Sequence, residues 1–208
     1  MGKVIIVDHP LLKHSLTILR DKNTTTEEFR NHSALVSNIM IIEATRNIKV
    51  NTVDIDTPLA PVQGSKVEKS IVLVPVLRAG ISMLLPARDM IPWAQVGFIG
   101  LERDETTAIA REYYKKFPEN LNNKQVLVLD PMLATGGSLV DTIIALKTKN
   151  IRSISAVCIV AAPEGIEYLH QKFPDVDVFT AAVDSHLNEV KFIVPGLGDY
   201  GDRYFGTD

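Results

Sequence analysis

The sequence predicts an α/β fold built on a central parallel sheet, and two observations carry that expectation. Five apolar runs of strand length recur, at Ile71–Val76, Gln95–Leu101, Val126–Leu129, Ile154–Ala162 and Val176–Val183. The run Val126–Leu129 is unbroken and rich in β-branched residues, as a strand covered on both faces must be. Helical patterns fill most of the intervals, at Ile81–Met90, Leu139–Lys149 and Pro163–Phe173. Strand–helix alternation at this spacing builds parallel neighbours joined by right-handed crossovers.

Ahead of this core, Pro10–Asp21 and Thr26–Asn47 read as two helices. The second opens on Thr24-Thr25-Thr26-Glu27-Glu28, where Thr24 with Glu27, or Thr25 with Glu28, forms a reciprocal capping box. Residues 49–70, rich in Val, Thr, Pro and charge, predict a strand pair projecting from the body. In the helix after Ser138, Val140, Ile143, Ile144 and Lys147 follow the i, i+3, i+4, i+7 spacing of one face. The helix Pro163–Phe173 carries its proline in the first turn, where the missing N–H costs nothing. One stretch breaks the alternation: Glu102–Asn123 is charged, only partly helix-like, and of a length that compact domains keep for functional or mobile loops.

With 208 residues the chain is expected to form one domain over residues 1–208, and 46% hydrophobic residues are ample for its core. A net charge of −3 gives no reason to expect nucleic acid or an anionic membrane as partner. No apolar run approaches the roughly 20 residues that span a bilayer, and the start of the chain lacks a signal-peptide pattern, so a cytoplasmic location is expected. The single cysteine, Cys158, lies inside an apolar run and reads as a buried small hydrophobe. The five histidines show no metal spacing and no pairing with Cys158, so neither a zinc site nor a Ser-His-Asp mechanism is expected.

Chemistry concentrates in three strings. In Val126-Leu-Val-Leu-Asp-Pro-Met-Leu-Ala-Thr-Gly-Gly-Ser138 a strand runs into a glycine-containing loop and then a helix. Gly136 and Gly137 let backbone N–H groups converge on one phosphate at the positive end of the helix, with Thr135 and Ser138 as hydroxyl donors. The lysine of a Walker A loop is missing, which argues against a nucleoside triphosphatase. Asp130 is placed to accept hydrogen bonds from sugar hydroxyls beside that phosphate. In Val74-Pro-Val-Leu-Arg-Ala-Gly80, Arg78 and a tight turn at Gly80 offer a second anion site, with a surface or packing charge as the bland alternative. In Phe192-Ile-Val-Pro-Gly-Leu-Gly-Asp-Tyr-Gly-Asp-Arg-Tyr-Phe-Gly-Thr207, four glycines allow the chain to wrap a small flat molecule, or merely to tie down the C-terminus.

These strings resemble the type I phosphoribosyltransferases. The first is similar to their motif for 5-phosphoribosyl-1-pyrophosphate (PRPP). Many members carry two adjacent acids there; here Asp130 is followed by Pro131, and Asp-Pro-Met-Leu-Ala-Thr-Gly-Gly resembles the uracil branch. Leu77-Arg-Ala-Gly80 resembles that branch's pyrophosphate loop, and Ile193–Thr207 its uracil-binding hood. The resemblance implies the type I fold: a five-stranded parallel sheet flanked by helices, a projecting β-arm, and a hood from the N-terminal segment and about residues 184–208. It also implies a flexible cover over about 102–123 that carries Arg103.

PRPP would then be held by Arg78, Arg103, Asp130, Pro131, Met132, Leu133, Ala134, Thr135, Gly136, Gly137, Ser138 and Asp199. Uracil would be held by Ile193, Gly198, Asp199 and Tyr200. The implied reaction is uracil plus PRPP to UMP plus diphosphate, a pyrimidine salvage step, with Arg78, Arg103, Asp130 and Asp199 as catalytic candidates. Mg²⁺ would arrive mainly through PRPP, with no dedicated protein ligands. A homodimer or higher homo-oligomer, with residues 49–70 as a candidate dimer arm, and activation by GTP are further implications. Two departures stand out. Ala108–Glu112 replaces a commonly proline-containing stretch, which bears on loop closure, and Tyr200 fills a position often held by a small residue. The alternatives are a phosphoribosyltransferase for another base, which the C-terminal string disfavours, and a PRPP-sensing, RNA-binding regulator of the same fold, which the acidic balance disfavours.

Overall fold

The computed structural model describes residues 2–103 and 110–207. The chain opens with a short strand, β1 (Val4–Ile6), then two helices, α1 (Pro10–Arg20) and α2 (Thr26–Ala44). Of the two capping boxes open in the sequence, Thr25 with Glu28 forms. Helix α2 stops at Ala44, short of the expected Asn47, where the Thr45 hydroxyl turns back onto the Ile41 carbonyl. An antiparallel arm follows, β2 (Val50–Asp56) paired with β3 (Pro61–Val67), and Leu59 at its tip is 96% exposed.

The core begins with β4 (Ile71–Leu77) and α3 (Ile81–Met90), followed by the two-residue β5 (Gln95–Val96) and β6 (Phe98–Arg103). Next come β7 (Ala110–Lys116), β8 (Gln125–Leu129), the short β9 (Met132–Leu133) and α4 (Gly137–Lys147). The alternation closes with β10 (Ser153–Ala161), α5 (Pro163–Lys172) and β11 (Asp177–Val183). A final segment holds β12 (His186–Leu187), β13 (Ile193–Val194) and the six-residue helix α6 (Tyr200–Phe205).

The sheet order is β1-β11-β10-β8-β4-β6-β7, parallel throughout except for the β6–β7 pair. The five expected strands are its contiguous centre, β11-β10-β8-β4-β6. Strand residues alternate between two cores, as a two-residue side-chain period requires. Ile71, Leu73, Leu127, Leu129, Val157 and Ile159 meet α1, α2 and α3 on one face. Val72, Val74, Val126, Val128, Ala156 and Cys158 meet α4 and α5 on the other.

Two edge strands were not expected. β1 pairs with β11; its run Val4–Val7 is apolar but only four residues long, and Val4 and Ile6 are exposed, so the sequence does not mark it as a covered strand. β7 lies in the stretch read as loop. It pairs antiparallel with β6 through a bulge at Gly100/Leu101, and Glu112–Lys116 are exposed, so a charged edge strand looks like a charged loop in sequence. On α4 the expected apolar face is rotated: Leu139, Val140, Thr142, Ile143 and Leu146 are buried, while Ile144 is 54% exposed. Among the described residues, no helix is long and apolar enough to cross a membrane.

Candidate active site

From β4 the chain crosses through α3 towards β6, and from β8 it crosses through α4 towards β10 on the other side. α3 packs on one face of the sheet and α4 on the other. The strand order therefore reverses between β4 and β8, and the loops leaving their carboxyl ends diverge there. Such a crevice is where open α/β sheets bind ligands. The loop after β4 carries Arg78, and the loop after β8 carries Asp130–Gly136.

Hydrogen bonds to β10 fix the second loop. The Pro131 carbonyl accepts from the N–H groups of Ile159 and Val160, at 2.9 and 3.0 Å, and β9 then pairs with Val160 and Ala161. Pro131 is thus buried and turned to the sheet. Gly136 has φ +82°, and α4 starts behind it without a side-chain cap. A small cavity of about 60 Å³ is lined by Asp130 and by Met132–Leu139, which joins the expected phosphate-binding residues Met132, Leu133, Ala134, Thr135, Gly136, Gly137 and Ser138. The first turn of α4 lines it, so the cavity sits at a helix N-terminus, where anions bind.

Asp130 accepts from the Met132 N–H at 3.4 Å, and burial pushes its pKa up to about 7 against the opposing pull of that bond. Behind it, the Cys158 thiol is buried and pushed well above its ordinary range, first by burial and then by Asp130, which makes it a poor nucleophile.

A larger cavity of about 370 Å³ adjoins the first, sharing Met132 and Ala134 as a common wall. Arg78 and Ala79 line one side of it, Leu101 and the hairpin Val190–Ile193 others, and Gly198–Gly201 closes it. All four residues expected at the base, Ile193, Gly198, Asp199 and Tyr200, are therefore together with Arg78. Arg78 is exposed and stands 3.9 Å from Asp202. Asp199 Oδ1 accepts the Asp202 N–H at 3.0 Å and caps α6, a structural use that the sequence reading missed. Arg103 ends β6; its side chain, and residues 104–109 of the expected cover, lie outside the described residues.

The base-side segment is held from far along the chain. Arg20, at the end of α1, forms a bidentate pair with buried Asp184 at 2.6 and 2.7 Å and donates to the Gly196 carbonyl. Asp184 also accepts the Gly196 N–H at 2.8 Å. Arg203 lies over the Phe29 ring at 4.5 Å and donates to the carbonyls of Leu19, Asp21 and Leu197. Arg30 of α2 caps the end of α6 through Tyr204 and Phe205. Except for Arg203 with Leu197, the arginines reach partners more than 160 residues away, so no local motif announces them.

At the start of α5, Ala161-Ala-Pro-Glu-Gly165 supports the neighbours of both cavities. A Cβ on Gly165 would stand 2.3 Å from the Ala134 carbonyl oxygen, so only glycine lets α5 lie under the phosphate loop. Glu164 accepts the Leu187 N–H at 2.9 Å, which supports the β12–β13 hairpin and, as the largest influence, lowers the pKa of the Glu164 carboxyl.

The family model for uracil phosphoribosyltransferase matches residues 6–207. The chain belongs to the uracil phosphoribosyltransferase family. It is 49% identical to the uracil phosphoribosyltransferase of Dictyoglomus turgidum over 205 residues, covering 98% of this chain and 99% of that relative. Among solved structures it is similar to the AQ2163 protein from Aquifex aeolicus, with a TM-score of 0.93 at 35% identity over 99% of each chain. The adenine phosphoribosyl transferase of Trypanosoma brucei, solved with AMP, pyrophosphate and ribose-5-phosphate, shares the fold, with a TM-score of 0.58 at 10% identity over 88% of this chain and 84% of that one.

Proposed function

We propose that the chain transfers the phosphoribosyl group of PRPP to uracil, giving UMP and diphosphate, in pyrimidine salvage. The observation that carries this reading is the pair of adjoining cavities: a small one at a helix N-terminus and a larger one closed by glycine-rich backbone, with Met132 and Ala134 between them. A ribose spanning that wall would have its 5′-phosphate in one cavity and its C1 facing the other. Such chemistry needs no protein nucleophile. Positive charge grows on the ribose as the C1–diphosphate bond lengthens, so catalysis is positioning and electrostatics.

In this reading Thr135–Ser138 hold the 5′-phosphate, ionised Asp130 accepts from the ribose hydroxyls, and Arg78 with Arg103 faces the departing diphosphate. Main-chain groups around Ile193 and Gly198–Tyr200 pair with uracil, and the amino group of cytosine would leave buried groups unpaired there. Asp199 stands between base and PRPP. Mg²⁺ fits as a substrate-borne ion: among the described residues no three acidic, His or Cys groups converge, and Asp130 is the one carboxylate lining the phosphate cavity. When bound with PRPP, the ion supplies neutralising charge to the diphosphate. The reading also takes the chain as one domain, with residues 102–123 as a cover that excludes water. It further includes a homodimer or higher assembly through the 49–70 arm, GTP as activator, and a cytoplasmic location.

The test is to incubate the purified chain with PRPP, Mg²⁺ and each free base in turn. UMP formed from uracil alone is the expected result; turnover of another base, or none, overturns the reading. Sedimentation velocity with and without GTP, alongside initial rates, tests assembly and activation.

A further inference from the structure

Tyr200 stands in the Gly198–Gly201 turn that closes the larger cavity, and its hydroxyl reaches inward to α2 and α3. The residue is 2% exposed, its ring edge-on to Phe29 at 5.2 Å and stacked on Tyr204 at 6.0 Å. Its hydroxyl reaches serines on two other helices, Ser33 of α2 and Ser82 in the first turn of α3. The phenol donates to Ser82 Oγ at 2.9 Å, and Ser82 Oγ donates to the Ala79 carbonyl at 2.8 Å. With the phenol proton used on Ser82, the close contact to Ser33 has Ser33 as donor. The result is a one-way relay, Ser33 to Tyr200 to Ser82 to the backbone of Ala79. Burial pushes the phenol up to about 12, so it stays a donor across any working pH. Both serines are fully buried, so water does not compete for the links.

The relay ends at a functional place. Ala79 follows Arg78 and lines the cavity with it, and Gly80 behind it is wedged so closely that an added Cβ would stand 2.4 Å from the Leu129 carbonyl oxygen. The loop facing the leaving group and the turn facing the base, far apart in sequence, are therefore joined through one phenol.

We propose that Tyr200 is a positioning residue that, acting through Ser82, fixes the base-side turn against the Arg78 loop. It thereby sets the alignment of uracil N1, ribose C1 and departing diphosphate. This inference rests on the functional reading above. Reacting atoms displaced by a fraction of an ångström leave ground-state binding nearly intact but slow the chemical step.

The experiment uses the full chain with uracil, PRPP and Mg²⁺. Tyr200→Phe keeps the ring between Phe29 and Tyr204 and removes only the hydroxyl. The expected result is a fall of about tenfold in kcat for UMP formation, with both KM values changed less than about threefold. Ser82→Ala should give the same fall, and the double variant should be no slower than either single one, since they break one relay. Should Tyr200→Phe fail to fold, Ser82→Ala alone carries the test, because it leaves the tyrosine in place. A lowered melting temperature with kcat unchanged at 25 °C, or strictly additive losses, overturns the inference and leaves Tyr200 a packing residue. An inactive wild type overturns the functional reading and the inference together; an active wild type with an unaffected Tyr200→Phe variant overturns only the inference.

Discussion

The two cavities of this site are built by opposite strategies. The phosphate cavity is made from consecutive residues, Asp130 and Met132–Leu139, laid along the edge of β10 by backbone hydrogen bonds. The base-side cavity is made from segments far apart in sequence, and its closing segment is held by side chains from α1, α2 and α3. A contiguous loop on a strand end is specified locally and has few ways to fail short of unfolding. A segment held by distant arginines depends on each anchor and can loosen on its own. Damage to the first should abolish use of PRPP, whereas damage to the second should blur uracil binding while PRPP still binds.

Asp130→Asn is the largest expected break. The neutral amide cannot offer the ribose hydroxyls a charged acceptor, and loss of two charge-assisted hydrogen bonds is worth about a hundredfold in kcat/KM for PRPP. The same carboxyl sets a pH dependence. Because burial raises its pKa to about 7, it protonates in the free protein as pH falls below 7. kcat/KM for PRPP should then drop about tenfold per pH unit below 7 and lie flat above it. In Asp130→Asn that slope should vanish.

Stability runs the other way. The folded pKa lies above the ordinary 3.8, so between those values the folded state holds the proton more tightly. The Asp130 contribution to stability is thus present at low pH and is lost as pH rises to about 7. Asp130→Asn should therefore raise the urea midpoint at pH 8 and leave it unchanged near pH 3. A variant both less active and less stable at pH 8 would remove Asp130 from the site and make it a structural carboxylate.

The contrast also explains what was legible in the sequence. The phosphate loop, the Arg78 turn and the five central strands are written in short runs, where residue type and spacing determine backbone geometry. The glycine-rich tail is legible as backbone able to line a cavity, but its supports are not. Arg20 and Asp184 are 164 residues apart, and neither is unusual in its own neighbourhood. β7 was hidden because an edge strand needs no apolar face, and Ile144 misled because one exposed isoleucine at helical spacing looks the same as a buried one. Tyr200 looked like an oversized substitution; only the fold shows the two serines that receive it.

Gly165→Ala tests whether the phosphate loop is as stiff as its hydrogen bonds imply. The new methyl meets the Ala134 carbonyl oxygen, and relief requires α5 or the loop to shift. Overpacking of this kind costs about 1–3 kcal/mol, which as lost phosphate affinity means roughly tenfold or more in KM for PRPP. KM for uracil should move much less. Equal increases in both would show that the shared wall at Met132 and Ala134 transmits the strain and that the cavities are not independent.

Arg20→Met tests the other strategy. It strips buried Asp184 of its bidentate partner and leaves it the Gly196 N–H. Breaking such a pair from one side costs about 3 kcal/mol, which equilibrium urea unfolding would read directly. KM for uracil should rise about fivefold as Gly196 and its neighbours loosen, with KM for PRPP unchanged. If KM for PRPP rises instead, the segment is not an independent cover but part of the phosphate site.

Glu164 is the residue that touches both constructions, and its removal should have the smallest effect. It sits in the first turn of α5, next to the Gly165 that underlies the phosphate loop, while its carboxylate accepts the Leu187 N–H of the hairpin. The carboxylate is exposed and water can replace it at Leu187, so Glu164→Gln, which keeps an acceptor, should be neutral. Glu164→Ala should raise KM for uracil about twofold, a few tenths of a kcal/mol, in line with one solvent-accessible hydrogen bond. What matters is the direction. The bond lies on the hairpin side, so the loss should fall on uracil and spare PRPP. If Glu164→Ala weakens PRPP instead, the first turn of α5 acts mainly through the phosphate loop, and the hairpin is held by its own backbone pairing of His186 with Val194 and Leu187 with Ile193.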